Sequence, residues 1–379
     1  MLSKRALKEL LETTKSYPGG FVVLEDNQAK FVILDYETYE RLTEKKPFDK
    51  PQPQKILVTG GAGYVGSHTA RLLQQNGYEI VTIDNLSTGT QEFAQGKFVK
   101  GDLCDEELLD KIFTENNFEA VMHFAASIDL SESVGDPLAY WRNNVTTGIT
   151  LLEVMARHGI YTLVFSSTCA VYADDAPVPM TESASIDPSS PYGDTKVAFE
   201  KILASSAFAH GINSVSLRYF NPAGASFDGL LGQANPETTH LIPNALNVAL
   251  GKKEELIING NDYNTQDGTA VRDYIHILDV AEAHVLALDF LAKQKKPIAE
   301  FFNIGTGRGY SVLEVIDQVC ESTGKMIKFQ YGPRRPGDRE QVFADTTKAR
   351  IVLGFTPKYS DLKTIIDTHW AFHKKRFGN

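Results

Sequence analysis

The sequence predicts an α/β protein built on a doubly wound parallel sheet, with a smaller C-terminal lobe and a small N-terminal appendage. From about residue 55 onward, short apolar strands alternate with amphipathic helices, which is the pattern of a parallel sheet covered on both faces. The first of these strands runs directly into a glycine-rich turn. After about residue 220 the alternation loosens into longer loops, which predicts a lobe folded onto the sheet.

Residues 1–46 predict the appendage, with the element order αββα. An apolar face near the start predicts a helix, and strands are expected at Phe21–Leu24 and Lys30–Leu34, followed by a helix at Tyr36–Thr43. The run AKFVILDYETYERL resembles the N-terminal half of Phd/YefM-type antitoxins, which pair through such a module. Because the toxin-binding tail of those proteins is missing, we expect an accessory or dimerising role rather than DNA binding or toxin neutralisation.

Residues 47–54 carry three prolines and no apolar period, so they predict a linker to a body at 55–379. In the body each predicted strand is a short apolar run, and each predicted helix repeats apolar residues with the helical period. The predicted elements are strand Lys55–Thr59, helix Tyr64–Gln75, strand Glu79–Asp84, strand Phe98–Gly101, helix Glu106–Thr114, strand Ala120–Phe124, helix 138–157 and strand 162–167. Such alternation predicts parallel strands, because each helix carries the chain back across the sheet.

The composition excludes several classes of protein. The formal net charge of −10 argues against a broad nucleic-acid-binding surface, which needs an excess of basic residues. Cys104, Cys169 and Cys320 lie far apart, so neither a disulfide framework nor a cysteine-rich zinc site is expected. No apolar run approaches the roughly 18 residues of a membrane span, and the N-terminus lacks a secretory signal. We therefore expect a cytoplasmic protein with no metal site and with neither membrane nor nucleic acid as a partner.

The turn after the first strand of the body has the glycine spacing of a dinucleotide site. Gly60, Gly63 and Gly66 form GxxGxxG at the start of a helix, where backbone N–H groups reach a pyrophosphate. Asp84 ends the next strand, the place of a carboxylate that accepts hydrogen bonds from an adenosine ribose. No arginine follows it to bind a 2′-phosphate, so a Rossmann-type core over about residues 55–220 is expected to bind NAD rather than NADP. Asp102, after the third strand, is placed to reach the adenine or to cap a helix.

Tyr192 and Lys196 lie four residues apart on a predicted helix and therefore share one face. An ammonium beside a phenol favours the phenolate, lowers the pKa of the tyrosine and makes it a base for a sugar hydroxyl. The preceding buried strand ends in hydroxyl residues that include Thr168, at the edge where ligands bind such sheets. Tyr359 and Lys363 repeat the spacing, but no such strand precedes them, so surface packing is expected there.

Ten motifs, in order along the body, carry a family resemblance. They are TGGAGYVGSH, DNLSTG, GDL, HFAA, NNV, FSSTCAVY, SPYGDTK, RYFNPAG, GNDYNTQDGTAVRDYIH and PRRPGD. Over about residues 55–372 the chain resembles the extended short-chain dehydrogenase/reductases and, within them, the UDP-glucose 4-epimerases, also called UDP-galactose 4-epimerases. The resemblance implies NAD as cofactor, a UDP-sugar substrate, a homodimer, and a C-terminal lobe that binds the substrate.

The resemblance also implies roles for individual residues. Tyr192 is the implied base, Lys196 its partner, and Thr168 the hydrogen-bond partner of the reacting sugar oxygen. The implied NAD-binding residues are Gly60, Gly63, Tyr64, Val65, Gly66, Asp84, Asn85, Asp102, Leu103, Phe124, Ala125, Ala126, Asn143, Tyr192, Lys196 and Phe220. The implied substrate-binding residues are Thr168, Tyr192, Asn221, Leu241, Arg272, Arg335 and Asp338. Arginines suit a diphosphate because they form bidentate hydrogen bonds.

The implied reaction is a 4-epimerisation of a UDP-hexose through a 4-keto intermediate. Tyr192 takes the proton of the sugar O4, a hydride passes from C4 to the nicotinamide, and it returns to the opposite face after the sugar has turned. Three positions depart from the family: Ile128 replaces a lysine near the cofactor, His240 an asparagine, and Val342 a bulky aromatic that some relatives carry near C2. The small valine leaves UDP-N-acetylglucosamine open as the substrate, and UDP-xylose or UDP-arabinose stay open as well.

Two other kinds of protein share part of this pattern. Nucleotide-sugar 4,6-dehydratases and decarboxylases carry acidic residues just after the active-site threonine, where this chain has Cys169 and Ala170. A non-catalytic NAD-binding regulator, acting through the antitoxin-like appendage, does not need the intact Tyr192–Lys196 pair. The sequence therefore favours the epimerase.

Overall fold

The computed structural model describes residues 21–25, 28–33, 54–235, 238–335 and 337–378. The chain divides into two units, 1–53 and 54–379. In the first unit, strands β1 (Phe21–Glu25) and β2 (Gln28–Ile33) pair antiparallel, within two residues of the predicted positions. The helices of the predicted αββα order lie outside the described residues.

The second unit contains the alternating elements. Its strands are β3 (Lys55–Thr59), β4 (Glu79–Asp84), β5 (Lys97–Lys100), β6 (Phe118–His123), β7 (Thr162–Thr168), β8 (Asn213–Tyr219), β9 (Asn221–Ala223), β10 (Leu256–Asn259), β11 (Val271–Arg272), β12 (Tyr274–His276), β13 (Ala299–Ile304), β14 (Tyr310–Ser311), β15 (Phe329–Gly332) and β16 (Gln341–Val342). Its helices are α1 (Tyr64–Gln75), α2 (Glu106–Thr114), α3 (Leu130–Gly135), α4 (Pro137–Trp141), α5 (Thr147–Arg157), α6 (Pro191–His210), α7 (Leu241–Ala249), α8 (Ile277–Leu291), α9 (Val312–Thr323) and α10 (Leu362–Phe377). None of the described helices is both long enough and apolar enough to cross a membrane.

A seven-stranded sheet with the order β13-β8-β7-β6-β3-β4-β5 forms the centre of this unit, and each neighbouring pair in it is parallel. Successive strands run outward in one direction from β3 to β5 and in the other from β6 to β13. The carboxyl ends of β3 and β6 therefore flank the switch point at which ligands bind such sheets. The predicted doubly wound α/β fold is confirmed.

Both faces of the sheet are buried, which explains the apolar runs in its strands. Val58 and Val164 belong to the core that α1 and α8 cover on one face. Leu57 and Phe165 belong to the core that α2, α5 and α6 cover on the other. Because alternate residues of a strand point to opposite faces, adjacent positions of a strand such as β3 are both apolar.

The C-terminal lobe has a core of its own, formed by α7, α9, α10 and β10. Three small sheets lie outside the central one: β9 with β12, β10 with β15, and β14-β11-β16. The loosened pattern after residue 220 marks this lobe only in part, because α8 and β13 return to the central sheet.

The predicted bounds of β3, α1, β4 and α2 agree with the structure, and the helix predicted over 138–157 is confirmed, with a π-helical turn inside it. A π-helical turn at Arg142–Thr146 separates α4 from α5. The Asn144 amide in this turn donates to the Ser127 carbonyl, 3.0 Å away, and to the Thr195 hydroxyl, 3.1 Å away. These long-range bonds stabilise the wide turn, which local periodicity does not predict.

Six buried histidines make the body sensitive to acid. Burial lowers the pKa to about 3 or about 4 in each of His68, His123, His276, His284, His369 and His373. At about pH 5 these side chains stay neutral in the folded protein, whereas histidines of the unfolded chain, with a pKa near 6.5, are protonated. Proton binding at that pH therefore favours the unfolded state.

We expect the free energy of unfolding to be lost as the pH falls below about 6.5, by about 2 kcal/mol at pH 5 for each histidine that stays neutral. Urea unfolding at about pH 7.5 and pH 5 measures this loss. His369→Leu removes a histidine whose two ring nitrogens have no hydrogen-bond partner among the described residues. The variant should therefore lose less unfolding free energy between about pH 7.5 and pH 5 than the parent protein. Equal pH dependence in the two proteins would contradict this prediction.

Candidate active site

The structure brings the predicted site residues to one edge of the central sheet. Gly60 follows β3, Asp84 ends β4, Phe124 follows β6, Thr168 ends β7 and Phe220 follows β8. All five strands are parallel, so their carboxyl ends meet at the same edge. Residues that are far apart in the chain thus lie around one crevice.

The glycine-rich turn is packed too closely for side chains. Gly60 has a φ of +68°, and a Cβ there would lie 2.6 Å from the Ala125 nitrogen. A Cβ on Gly66 would lie 2.4 Å from the Gly60 carbonyl oxygen. Gly63 is the N-cap of α1 and provides no side-chain cap, so the N–H groups of the first turn face the crevice uncapped. This is the geometry in which a helix N-terminus binds a phosphate.

Acidic side chains beside the turn are held in place by the backbone. The buried Asp84 carboxylate accepts hydrogen bonds from the Ala62 nitrogen at 3.0 Å and from the Leu86 nitrogen at 2.8 Å. The Asn85 amide donates to the Asp102 carboxylate at 2.8 Å. Asp102 does not cap α2, whose N-cap is Asp105, so of the two roles considered for it the capping one is excluded. Asp84, Asn85 and Asp102 form one polar edge next to the glycine turn.

Other predicted cofactor residues contribute mainly packing. Val65 and Phe124 pack against one face of the sheet, and Leu103 and Ala125 belong to the core of the other. Three more lie near the switch point: Ala126 after β6, Tyr64, whose hydroxyl donates to the Gly224 carbonyl, and Asn143, whose amide donates to the Ser127 hydroxyl. The last two are therefore already hydrogen-bonded within the protein.

Tyr192 and Lys196 lie one helical turn apart on α6, and both are buried. The Lys196 amine donates to the Ser166 carbonyl at 2.8 Å and lies 5.7 Å from the centroid of the Tyr192 ring. The Thr168 hydroxyl hydrogen-bonds to the phenol and accepts from the Ala170 nitrogen at 3.1 Å. The three predicted catalytic residues are thus brought together at the end of β7.

In this structure burial outweighs the lowering of the Tyr192 pKa that an ammonium beside the phenol is expected to cause. Burial raises the pKa of Tyr192, and the Thr168 hydrogen bond only partly opposes it. Burial also lowers the pKa of Lys196 to about 7, so its ammonium is itself destabilised. The sequence shows the spacing of the two groups but not the depth at which they are buried, and burial dominates both pKa values.

Sequence reasoning missed two polar residues near this pair. The Tyr219 hydroxyl on β8 forms a short hydrogen bond with the Ser166 hydroxyl, beside the carbonyl that holds Lys196. Asn144, described above, ties the π-helical turn to α6 through Thr195. The strand position of Tyr219 and the pair of asparagines in NNV were the available signals, but neither identifies its partner.

The predicted substrate residues gather on the C-terminal side of the crevice. The Arg272 guanidinium on β11 forms an ion pair with Asp338 and donates to the Arg339 carbonyl at 2.9 Å. The Asp338 nitrogen donates to the Arg335 carbonyl at 3.1 Å, which keeps these two residues in one turn. Two arginines and one carboxylate therefore lie on neighbouring segments of the lobe.

Two further substrate residues border this group. The buried Asn221 amide oxygen at the start of β9 has no hydrogen-bond partner among the described residues. Leu241 is the first residue of α7 and packs against the core of the lobe. A buried acceptor without a partner costs free energy, which is the condition a bound ligand with a donor would relieve.

The sequence pattern of the NAD dependent epimerase/dehydratase family matches residues 56–305 of this chain. The chain belongs to this family. Within the family, the UDP-glucose 4-epimerase of Halalkalibacterium halodurans is 44% identical over 321 residues, which are 84% of this chain and 96% of that protein. The UDP-glucose 4-epimerase of Corynebacterium glutamicum is 46% identical over 320 residues, 84% of this chain and 95% of that protein.

Solved structures of NAD dependent epimerase/dehydratase proteins share the fold. The UDP-glucose 4-epimerase from Brucella ovis, in complex with NAD, superposes with a TM-score of 0.82 at 43% identity, over 86% of this chain and 98% of that one. The enzyme from Bifidobacterium longum, in complex with NAD⁺ and UDP, gives 0.81 at 36% identity, over 86% and 99%.

Three positions that depart from the epimerase resemblance lie around the same crevice. The Ile128 side chain is 57% exposed, so it contributes no charge and little packing where the family resemblance implies a lysine. His240, the N-cap of α7, is hydrogen-bonded to Thr238 at 2.9 Å. Val342 packs against the cluster that contains Phe220.

Proposed function

We propose that this protein is a UDP-glucose 4-epimerase, an NAD-dependent enzyme that interconverts UDP-glucose and UDP-galactose. The observation that carries the proposal is the buried Tyr192–Lys196 pair beside Thr168, at the sheet edge onto which the glycine turn opens. The identity of 44% and 46% to two UDP-glucose 4-epimerases, over almost their full lengths, supports the same activity. In the turn after Thr168, Cys169 and Ala170 offer no carboxylate for the elimination of water.

Three residues of this chain would transfer the proton of the sugar O4: Tyr192, Thr168 and Lys196. Tyr192 takes the proton of the sugar O4 and returns it after the sugar has turned, which is general acid–base catalysis. Thr168 holds the reacting oxygen next to the phenol, to which its own hydroxyl is hydrogen-bonded. The Lys196 ammonium stabilises the phenolate while the proton is away.

NAD fits the residues on the other side of the crevice. The turn from Gly60 to Gly66 would hold its pyrophosphate, because its close backbone contacts keep the turn tight and leave the N–H groups at the start of α1 uncapped. Asp84 and Asn85 would hold the adenosine ribose, and the segment Asp102–Leu103 would lie along the adenine. When bound, NAD accepts the hydride of the sugar C4 and returns it. Lys196 would also hold the nicotinamide ribose, near Phe124, Ala125, Ala126, Asn143 and Phe220.

The UDP moiety matches the charges on the lobe. Arg272 and Arg335 would bind the diphosphate, since guanidinium groups pair with phosphate oxygens in a bidentate manner. Asp338 would accept hydrogen bonds from the uridine ribose and already orients Arg272 through their ion pair. Asn221 and Leu241 would complete the site near the sugar. Anchoring UDP in this way leaves the sugar free to turn between the two hydride transfers.

We include a homodimer in the proposal, because apolar side chains are exposed on α4, α5 and α6. Phe208 is 87% exposed, and Trp141 and Ile149 are 39% and 38% exposed. Exposed apolar side chains of this kind are stabilised when a second copy covers them. Phe208→Glu is expected to convert a dimer into a monomer in sedimentation velocity. Met326→Glu, a change at an 84% exposed apolar residue of the lobe, should leave the dimer intact, and a monomeric parent protein would contradict the proposal.

A cytoplasmic location belongs to the same proposal. Cys104, Cys169 and Cys320 are free thiols in the structure. Free thiols of this kind are typical of a reducing compartment. A fluorescent fusion expressed in the native cell tests the location, and a signal outside the cytoplasm would contradict it.

An NMR time course tests the activity. The purified protein is given UDP-glucose with NAD, and in parallel UDP-N-acetylglucosamine, UDP-xylose and UDP-arabinose. We expect the UDP-galactose signals to grow until they reach equilibrium. If only the N-acetylated sugar or only a pentose is turned over, that sugar nucleotide is the substrate instead of UDP-glucose. No turnover of any of them would contradict the proposal and favour a non-catalytic NAD-binding protein.

A further inference from the structure

A fully buried ion pair lies next to the Tyr192–Lys196 pair and has no role in the steps above. The Arg218 guanidinium on β8 donates two hydrogen bonds to the Glu200 carboxylate on α6, from Nε at 2.9 Å and from Nη2 at 2.6 Å. The two side chains are 5% and 4% exposed. Burying two charges has a large desolvation cost, and an apolar pair of the same volume would often serve stability as well. The position of this pair therefore points to a role beyond folding.

The pair joins the catalytic helix to the strand beneath it. Lys196 on α6 donates to the Ser166 carbonyl at 2.8 Å, and the next strand residue, Ser167, donates from its hydroxyl to Glu200 at 2.6 Å. Arg218 is the register partner of Ser167 in the β7–β8 pairing. Two successive turns of α6 are thus hydrogen-bonded to two successive residues of β7, and the guanidinium connects both to β8.

The same network extends towards the substrate side. Arg218 donates to the Tyr172 hydroxyl at 3.2 Å, which in turn donates to the Asn303 amide oxygen at 2.6 Å. Asn303 donates to the Met180 carbonyl at 2.8 Å, and Arg339 donates to the Tyr172 carbonyl. The segment that carries Arg339 also carries the predicted uridine-binding aspartate. A displacement of the ion pair would therefore reach both halves of the site.

We propose that Glu200 and Arg218 are positioning residues that hold Lys196 at its place beside Tyr192, and that Glu200 supplies a negative charge that acts on the Lys196 amine. This inference rests on the proposed function. Tyr192 and Glu200 on α6, His123 on β6, and Tyr219 and Arg218 on β8 are the titratable and charged groups around the amine among the described residues.

Of the groups around Lys196, Glu200 carries the negative charge. Burial lowers the pKa of Lys196 to about 7, and the Glu200 carboxylate opposes that shift. His123 is neutral, since burial lowers its pKa to about 3. Without the carboxylate, the Lys196 amine loses its proton at a lower pH, and the phenolate of Tyr192 then loses its stabilising charge.

The pH profile of kcat in the NAD-loaded enzyme tests the inference. In Glu200→Gln/Arg218→Met, which removes both charges together, we expect the basic limb to move by about one unit to lower pH. On that limb kcat falls about tenfold, while KM for UDP-glucose changes less than about twofold. Glu300→Gln/Lys348→Met is the matched control, because it removes an ion pair that β13 of the same sheet carries. Its profile should superpose on that of the parent enzyme.

A second variant separates the positioning of Lys196 from the effect of charge on its amine. It also tests the inference if the double variant does not fold. Arg218→Lys keeps the buried positive charge but cannot form the bidentate pair. We expect its kcat to fall about tenfold with the basic limb unmoved. Folded, NAD-loaded variants with the kcat and the pH profile of the parent enzyme would overturn the inference. A parent enzyme without activity on any UDP-sugar would instead overturn the proposed function.

Discussion

Replacing Tyr192 with phenylalanine is expected to lower kcat for UDP-glucose by about 10²- to 10⁴-fold, because the ring then has no hydroxyl to take the O4 proton. The ring itself is buried at the start of α6, so the phenylalanine retains its packing and the fold. UDP-glucose binding should change little, since we propose that the arginines of the lobe carry most of it. Initial rates from NMR, with calorimetric titration of the sugar nucleotide, separate the two effects.

The second Tyr-x-x-x-Lys spacing in the chain provides a matched control for this substitution. Tyr359 packs its ring against Phe227, with centroids 5.2 Å apart, and Lys363 pairs with Asp367 on the surface of α10. Tyr359→Phe should therefore keep the parent kcat. A Tyr192→Phe enzyme with kcat within about twofold of the parent would remove Tyr192 from the mechanism.

Replacing Gly66 with alanine is expected to weaken NAD binding by about 10- to 100-fold, as overpacking of a close contact costs about 1–3 kcal/mol. The new methyl group would lie 2.4 Å from the Gly60 carbonyl oxygen and 2.9 Å from the Gly61 Cα, which are backbone atoms that have little freedom to move. The turn must open, and the N–H groups at the start of α1 then no longer point together at the pyrophosphate. Titration of NAD into the apoprotein measures the change.

Gly135→Ala is the control for the glycine substitution. This glycine ends α3, and a Cβ there would meet nothing within 4 Å. NAD affinity should stay that of the parent protein. Equal NAD affinity in Gly66→Ala and Gly135→Ala would mean that the turn after β3 does not hold the pyrophosphate.

Local sequence patterns predicted the central sheet well because its strands and helices carry strong local signals. The strand β3 and the helices α1 and α2 have the bounds that apolar periodicity and the glycine turn predicted. The π-helical turn around Asn144, inside the predicted helix, was missed, since it depends on hydrogen bonds to Ser127 and Thr195, far along the chain. The return of β13 to the central sheet was missed for the same reason, because strand order is a long-range property.

In the candidate site, too, local patterns predicted some features and missed those that depend on the whole fold. Spacing alone placed Tyr192 and Lys196 on one helix face, and the ordered motifs assigned a residue type to each part of the crevice. Spacing did not reveal that burial raises the pKa of Tyr192 and lowers that of Lys196, since desolvation depends on what the whole fold packs around a side chain. Nor did it show that Arg272 pairs with Asp338, 66 residues later in the chain.

The sequence by itself therefore determined the doubly wound core, the glycine turn and the identity of the candidate base, because each is encoded by residues within about one helix or strand of one another. Only the tertiary structure decided the electrostatic state of that base and the buried partnership of Glu200 with Arg218. Both depend on groups that separate strands and helices bring together and exclude from water, and charge energies change most strongly with that exclusion.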